Sequence, residues 1–330
     1  MVKLPGSTAA PLPLVPQTAL AGIHWGETGT WQWQGHACHW RVLGNRQQPA
    51  LVLIHGFGAA SGHWRHNAAA LAEAGWCVYA LDLVGFGDSS QPGHRRHRPL
   101  DNRLWARQLQ GFLADVVEGP AVLVGNSLGS LVAITTAVFF PSWVNAVVAA
   151  PLPDPTLLMP IPQRRPRWRR RLQRRSVLVL CRLLPLELLV PLIARTPLLD
   201  LGLRSAYQQQ QAVDADLRRL VARPALRPRA ARALRAMSIG MALRPRGASA
   251  AVLLERMQQP LLVLWGSQDR LVPAQLRHRL PGHKPDLELQ VLPGLGHCPH
   301  DEHPQHFNKT LLTWLARNLD TGRPLEQRWE

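Results

Sequence analysis

The sequence predicts an α/β architecture: a mostly parallel sheet with helices on both faces, interrupted once by a helical insertion. Three observations carry this. Short apolar runs alternate with stretches of helical periodicity along most of the 330 residues. The runs are apolar nearly throughout, as strands buried on both faces require. Between residues 152 and 250 the composition shifts to arginine crowded among leucine and proline. The reading is therefore a core formed by 1–151 and 251–330, with a helical arginine-rich lid at 152–250. A composition of 46% hydrophobic and 18% charged residues supplies a sizeable core.

The elements follow in order. TWQWQ and HACHWRVL, on either side of Gly35, read as an antiparallel hairpin at one sheet edge. LVLIH (Leu51 to His55) is a buried strand, His63 to Ala74 a helix, and WCVYALDL (Trp76 to Leu83) the next strand. Asp101 to Val117 has helical spacing with Asp101 as its N-cap. AVLVG (Ala121 to Gly125) is a strand, Leu128 to Phe140 a helix, and VNAVVAA (Val144 to Ala150) a strand. Beyond the basic block come PLLVLW (Pro260 to Trp265), a helix from near Pro273, ELQVL (Glu288 to Leu292) and a final helix near Gln305 to Leu319.

The formal charge of +17 is unevenly spread: residues 151–250 hold twenty arginines against five acids. Such a block fits nucleic acid, an anionic membrane surface or an acidic partner, or simply a solvated basic face. Cys38, Cys77, Cys181 and Cys298 are scattered without CxxC pairing, which suits a reducing compartment. The first twenty residues lack an apolar h-region, so no secretory signal is expected. The apolar part of the lid is broken by Arg182, Glu187, Arg195 and prolines, so no spanning helix is expected either. The expected location is cytoplasmic or peripheral on the cytoplasmic face of a membrane.

GNSLG, Gly125 to Gly129, lies between a strand and a helix, the context in which G-x-S-x-G exposes a serine oxygen on a sharp turn. Ser127 needs a base, and His297 in GLGHCPHDEHP (Gly294 to Pro304) follows the last strand. Asp269, in WGSQDRLVP, follows the preceding strand and supplies the acid. The order Ser127, Asp269, His297 makes a catalytic triad. HGFG (His55 to Gly58) offers an oxyanion hole, with Phe57 N–H and Leu128 N–H as donors. His55, Gly56 and Gly58 support that loop. CPHDEH holds donors in no familiar metal spacing, so no metal and no cofactor are expected. Its His300, Asp301, Glu302 and His303 are read as cap and solvated surface.

With HGFG, DLVGFGDS (Asp82 to Ser89), GNSLG, GSQD and GLGH in that order, the chain resembles an α/β-hydrolase over nearly its whole length. The resemblance implies an eight-stranded, mostly parallel sheet with the lid inserted after strand 6. Within that fold, GNSLG with GHCPHDE resembles the pheophytinase and chlorophyll-dephytylase group. Ser130 stands where that group usually has a second glycine, and Leu295 precedes the Gly-His pair. The resemblance implies a serine esterase that frees phytol from a chlorophyll-type pigment, a lipophilic ester. The lid would then contact substrate or an anionic membrane through Arg164, Arg165, Trp168, Arg170 and Arg171.

Three alternatives remain open. A carbon–carbon bond hydrolase of ring-cleavage products shares a GNS elbow, although such enzymes commonly carry tryptophan where Cys298 follows His297. A general carboxylesterase or lipase is the second. The third is a basic nucleic-acid-binding protein on a retired hydrolase scaffold, which the intact triad and the lack of a nucleic-acid motif disfavour.

Overall fold

The computed structural model describes residues 24–95, 97–158 and 167–319, apart from the side chains of Arg167 and Arg170. Gln34 and Gly35 take φ values of 49° and 80°. Two successive positive values make the tight turn whose twist suits a hairpin, and β1 (Glu27–Trp33) pairs antiparallel with β2 (His36–Leu43). β3 (Ala50–Ile54), α1 (Ala68–Glu73) and β4 (Cys77–Leu81) follow. Then come α2 (Asn102–Phe112), β5 (Ala121–Asn126), α3 (Leu128–Phe139) and β6 (Val144–Ala150).

The eight strands form one sheet in the order β1-β2-β4-β3-β5-β6-β7-β8, with β7 at Leu261–Gly266 and β8 at Glu288–Leu292. β2 pairs antiparallel with β4, and every pair from β4 to β8 is parallel. The sheet and its insertion point are those the α/β-hydrolase resemblance implies. Strand residues alternate between two cores. Val52, Ile54, Leu123, Val263 and Trp265 face one, while Leu51, Leu53, Val124, Leu262 and Leu264 face the other. The first is covered by α2, α3, α9 (Ala250–Arg256) and α10 (Ala274–His283). The second is covered by α1 and, past the short α11 (Pro299–Glu302), by α12 (Pro304–Asn318). Each fully buried Leu or Ile contributes about 1.5–3 kcal/mol, so this double burial fixes the strand ends that carry the site.

Asp101 caps α2 as expected, accepting the Arg103 N–H at 3.0 Å. The helix expected from His63 to Ala74 is instead broken. A 3₁₀ turn covers Ser61–Trp64, and α1 begins only at Ala68. The side chains of Trp64, Arg65 and Asn67 all turn inward here, and Arg65 reaches acids distant in sequence.

Between β6 and β7 lie α4 (Arg167–Leu183), α5 (Leu186–Arg195), α6 (Leu198–Ala206), α7 (Ala215–Ala225) and α8 (Ala230–Ala242). Pro185, which has no N–H, precedes α5, and the Arg171–Leu183 and Leu186–Arg195 segments are bent by 53°. Arg235 of α8 holds that corner, donating to Cys181 O and Leu184 O at 2.9 and 3.0 Å and pairing with Glu187. At the root of the insertion, buried Asp154 accepts from Thr156 N, from Arg244 and from Ala250 N at 3.0, 2.7 and 2.8 Å. Among the described residues no single helix is long and apolar enough to cross a membrane, although the bent pair passes by length and composition. Cys38, Cys77, Cys181 and Cys298 are free thiols.

Candidate active site

Ser127 sits on the turn from β5 into α3 at φ 53°, ψ −113°. A non-glycine residue in this sparsely populated region costs about 1–3 kcal/mol, and the neighbouring packing enforces it. A Cβ on Gly125 would lie 2.3 Å from Gly129 C, and one on Gly129 only 2.2 Å from Ile54 O. Both positions therefore exclude any side chain. Asn126 secures the turn from below, donating to Ala150 O at 2.6 Å and to His297 O at 3.2 Å. Ser130 does more than fit: its hydroxyl donates to Gly125 O at 2.7 Å and accepts Ala150 N at 3.0 Å, tying β5 to β6.

The loop after β7 presents Asp269 and the loop after β8 presents His297. Their side chains meet at 3.0 Å, Asp269 Oδ2 to His297 Nδ1, and both are largely buried. Asp269 Oδ1 is occupied by the N–H groups of Leu271 and Val272 at 2.9 and 3.0 Å. Its free oxygen thus holds a proton on Nδ1 and leaves Nε2 as the acceptor. Among the described residues no hydrogen bond joins the Ser127 hydroxyl to His297. Such contacts commonly tighten only with substrate in place.

Gly56 crosses beside the serine: a Cβ there would lie 2.6 Å from Asn126 Oδ1 and 3.3 Å from Ser127 Cβ. Gly58 has φ 73° and turns the loop away, and Phe57 is exposed with its ring edge on Phe86 at 5.9 Å. Leu128 opens α3, so its N–H has no partner within the helix. His55 is fully buried, with Nδ1 2.8 Å from Gly56 O and Nε2 accepting Leu83 N at 3.1 Å. Burial lowers its pKa, so it is a neutral brace between two loops.

The polar run after His297 is not solvated, which corrects the sequence reading. His300, Asp301 and Glu302 are buried, and only His303 is exposed, where its Nδ1 caps α12 at His306 N. Asp301 accepts two bonds from Arg65, at 2.9 and 3.1 Å, and one from the Tyr207 hydroxyl at 2.9 Å. Tyr207 in turn accepts from His63 Nε2 at 2.7 Å. Arg65 also grips both oxygens of Asp214 at 2.7 and 2.8 Å. Burial alone would lower the Arg65 pKa, but hydrogen bonds and charge from Asp301 and Asp214 outweigh it and hold the guanidinium charged. Glu302 accepts the N–H groups of Gln208, Gln209 and Gly296, each at 2.9 Å. His297 N donates to Ala206 O at 2.8 Å. The segment from Ala206 to Asp214 is therefore clasped onto the histidine loop. The acids of CPHDEH are consumed by this clasp, so they do not offer a metal an open set of donors. A second group, His39, Asp82 and Asp88, comes within 4.8 Å. There Asp82 already accepts from Ser61 and Asp88 N–H, and Asp88 pairs with Arg223.

Of the expected lid contacts, Arg164 and Arg165 lie outside the described residues, and Arg170 falls within α4. Trp168 is exposed, with the Arg169 guanidinium 5.2 Å from its ring. Arg171 is exposed and lines a cleft on α4.

Residues 51–309 match the sequence profile described as "Alpha/beta hydrolase family". The chain belongs to the alpha/beta hydrolase family. It is 27% identical over 301 residues, 89% of this chain and 91% of the relative, to a 2-hydroxy-6-oxononadienedioate/2-hydroxy-6-oxononatrienedioate hydrolase of Burkholderia vietnamiensis. It is also 27% identical to a 2-hydroxy-6-oxo-6-phenylhexa-2,4-dienoate hydrolase of Burkholderia cepacia, covering 82% and 88% of the two chains. A solved membrane phospholipase A, described as a bacterial virulence factor, superposes with TM-score 0.68 at 26% identity, covering 91% and 89%. The thioesterase domain from the curacin biosynthetic pathway shares the fold at TM-score 0.68 and 18% identity, covering 88% and 100%. These relatives are hydrolases or share the hydrolase fold. The pigment specificity implied by the pheophytinase resemblance is not carried by them, since the curated pair act on dienoates.

Proposed function

We propose that this hydrolase cleaves a carboxylic ester of a lipophilic substrate through a covalent serine intermediate. The observation that carries the reading is the strained turn presenting Ser127 above β5, with the Asp269–His297 pair on the adjoining loops. Ser127 attacks the ester carbonyl while His297 Nε2 takes its proton, and Asp269 steadies the imidazolium. The Phe57 and Leu128 amides receive the oxyanion. His297 then protonates the departing alkoxide, and water repeats the sequence to free the acid. The lipophilic part rests on the insertion, whose α6 ends at the Ala206 carbonyl that accepts from His297 N.

A second reading, carbon–carbon bond hydrolysis of a 2-hydroxy-6-oxo-dienoate, is favoured by the full-length curated relatives. It uses the same attack on a carbonyl, but the leaving group is a carbanion that must be protonated at carbon. The test sets p-nitrophenyl esters of two to sixteen carbons, a phytyl ester and a 2-hydroxy-6-oxo-dienoate before wild type and Ser127→Ala. Preference for the long esters, with a loss of roughly 10⁴-fold or more in the variant, supports the first reading. Turnover of the dienoate alone replaces it with the second. Ester turnover that survives Ser127→Ala sinks the nucleophile assignment.

A further inference from the structure

The helices α4, α5 and α6 expose most of the large apolar side chains found at the surface among the described residues. Leu183 is 75% exposed, Leu188 73%, Leu201 67% and Leu180 63%. Exposed large apolar side chains concentrated on three consecutive helices mark a contact with something else. Beside it lies a dense cationic field. The open cleft of about 590 Å³ on α4 is lined by His94, Arg171, Arg174, Arg175, Leu178 and Arg182. His94 also lines a neighbouring cleft of about 600 Å³, whose other charged residues include Arg95, Arg227, Arg229 and Arg232. Among the described residues neither cleft is lined by an acid. The chain itself has no Asp or Glu between Asp154 and Glu187, and Glu187 is taken by Arg235. The crowding acts on the histidines as well: burial first, then Arg174 and Arg182, lowers the pKa of His94.

We propose that α4, α5 and α6 dock on an anionic lipid bilayer, the leucines entering the acyl region and the arginine-lined clefts holding headgroup phosphates. Charge and apolarity together select this occupant. A nucleic acid satisfies the arginines and leaves the leucines in water. A second copy of the chain covers the leucines but sets one arginine field against another. A bilayer of anionic lipid satisfies both, and the 53° bend of α4 against α5 lets the corner at Leu183 to Leu188 dip without crossing. The bend is braced from the protein side by Arg235, which leaves the corner's leucines exposed.

The inference does not rest on the hydrolase reading, because binding is measured without turnover. The experiment is flotation of the full chain and its Ser127→Ala variant with vesicles of phosphatidylcholine alone or with 30 mol% phosphatidylglycerol. Both proteins are expected to float with the anionic vesicles, and less so as salt rises. Each arginine near such a surface changes partitioning about fivefold. The triple variant Arg171→Gln, Arg174→Gln, Arg175→Gln should therefore bind on the order of a hundredfold more weakly. Leu183→Ser with Leu188→Ser should also lose flotation, with the thermal midpoint of the fold kept. Equal binding to both vesicle types, or triple-variant binding equal to wild type, overturns the proposal. So does tighter binding to a DNA duplex than to the vesicles at equal salt, or a concentration-dependent dimer that Leu183→Ser dissolves.

Discussion

Asp301→Asn tests the clasp that holds the Ala206–Asp214 segment over the histidine loop. The Asp301 side chain is fully buried and the Arg65 side chain 5% exposed, so the substitution leaves a guanidinium in low dielectric facing a neutral amide. Removing one partner of a buried pair costs about 3–5 kcal/mol, and Asp214, still bound to Arg65, places this case near the lower end. Unfolding entropy of about 2.1 cal/mol/K per residue over roughly 300 residues is about 0.6 kcal/mol per degree. The expected fall in Tm is therefore about 5 °C by calorimetry at pH 7.5. Asp214→Asn is the control. Its side chain is 43% exposed, and asparagine still caps α7 in place of the carboxylate that accepts Leu217 N. It should lose less than about 1 kcal/mol, under 2 °C. Arg65→Met combined with Asp301→Leu should recover most of the loss, since the paired removal strands no charge. Equal losses from Asp301→Asn and Asp214→Asn, or a double variant as damaged as the sum of its singles, would refute the reasoning.

Acid should weaken the fold through His63, whose pKa burial lowers to about 4 although Asp301 pulls the other way. Unfolded histidine titrates near 6.5, so between pH 6.5 and 4 the unfolded chain binds the extra proton. Stability present above pH 6.5 should fall by about 3 kcal/mol over that window. Urea titrations at pH 7, 5.5 and 4.5 should show that slope, reduced in His63→Gln. An unchanged slope in the variant assigns it elsewhere. Gly129→Ala forces a Cβ to 2.2 Å from the Ile54 carbonyl and should yield misfolded or strongly destabilised protein. Gly119→Ala, with nothing within 4 Å, should leave Tm unchanged. A soluble Gly129→Ala with wild-type Tm would mean that β3 and the serine turn are not packed so closely. Gly56→Ala should lower kcat by tenfold or more, because its Cβ presses on Asn126 Oδ1 and Ser127 Cβ. The variant's Tm, measured alongside, separates a displaced loop from a collapsed fold.

The central strands β3 to β7 were legible because each is a nearly uninterrupted apolar run, and a residue on either face of LVLIH meets a core. The placement of Ser127, Asp269 and His297 on turns that follow strands, and the meeting of Asp269 with His297, was legible from motif order. The clasp was not. Arg65 finds Asp214 and Asp301 at separations of 149 and 236 residues, and nothing local to SGHWRHN distinguishes an inward arginine from a solvated one. The same long reach broke the helix expected over His63 to Ala74. The acids of CPHDEH misled for a related reason. A charged run is normally surface, and here Asp301 finds Arg65 far back in the chain while Tyr207, Gln208 and Gln209 come from an insertion whose placement no local pattern encodes. One signal was available: Tyr207 and Gln208–Gln211 are a polar break just after an apolar stretch, where a segment descends from the insertion to the core.

The chain leaves β6 and returns to α9 past a single carboxylate, Asp154, which bonds the outgoing Thr156 and the incoming Arg244 and Ala250 together. Departure and return thus share one doorway. A stretch built this way is an exchangeable cassette. It can be exchanged while the loops bearing Ser127, Asp269 and His297 keep their spacing, provided the clasp at Arg65 and the seat of α8, whose Ala236 and Met237 enter the sheet's core, are rebuilt. Grafting an insertion from a dienoate hydrolase between Asp154 and Arg244 would then change what reaches the serine without redesigning the frame beneath it.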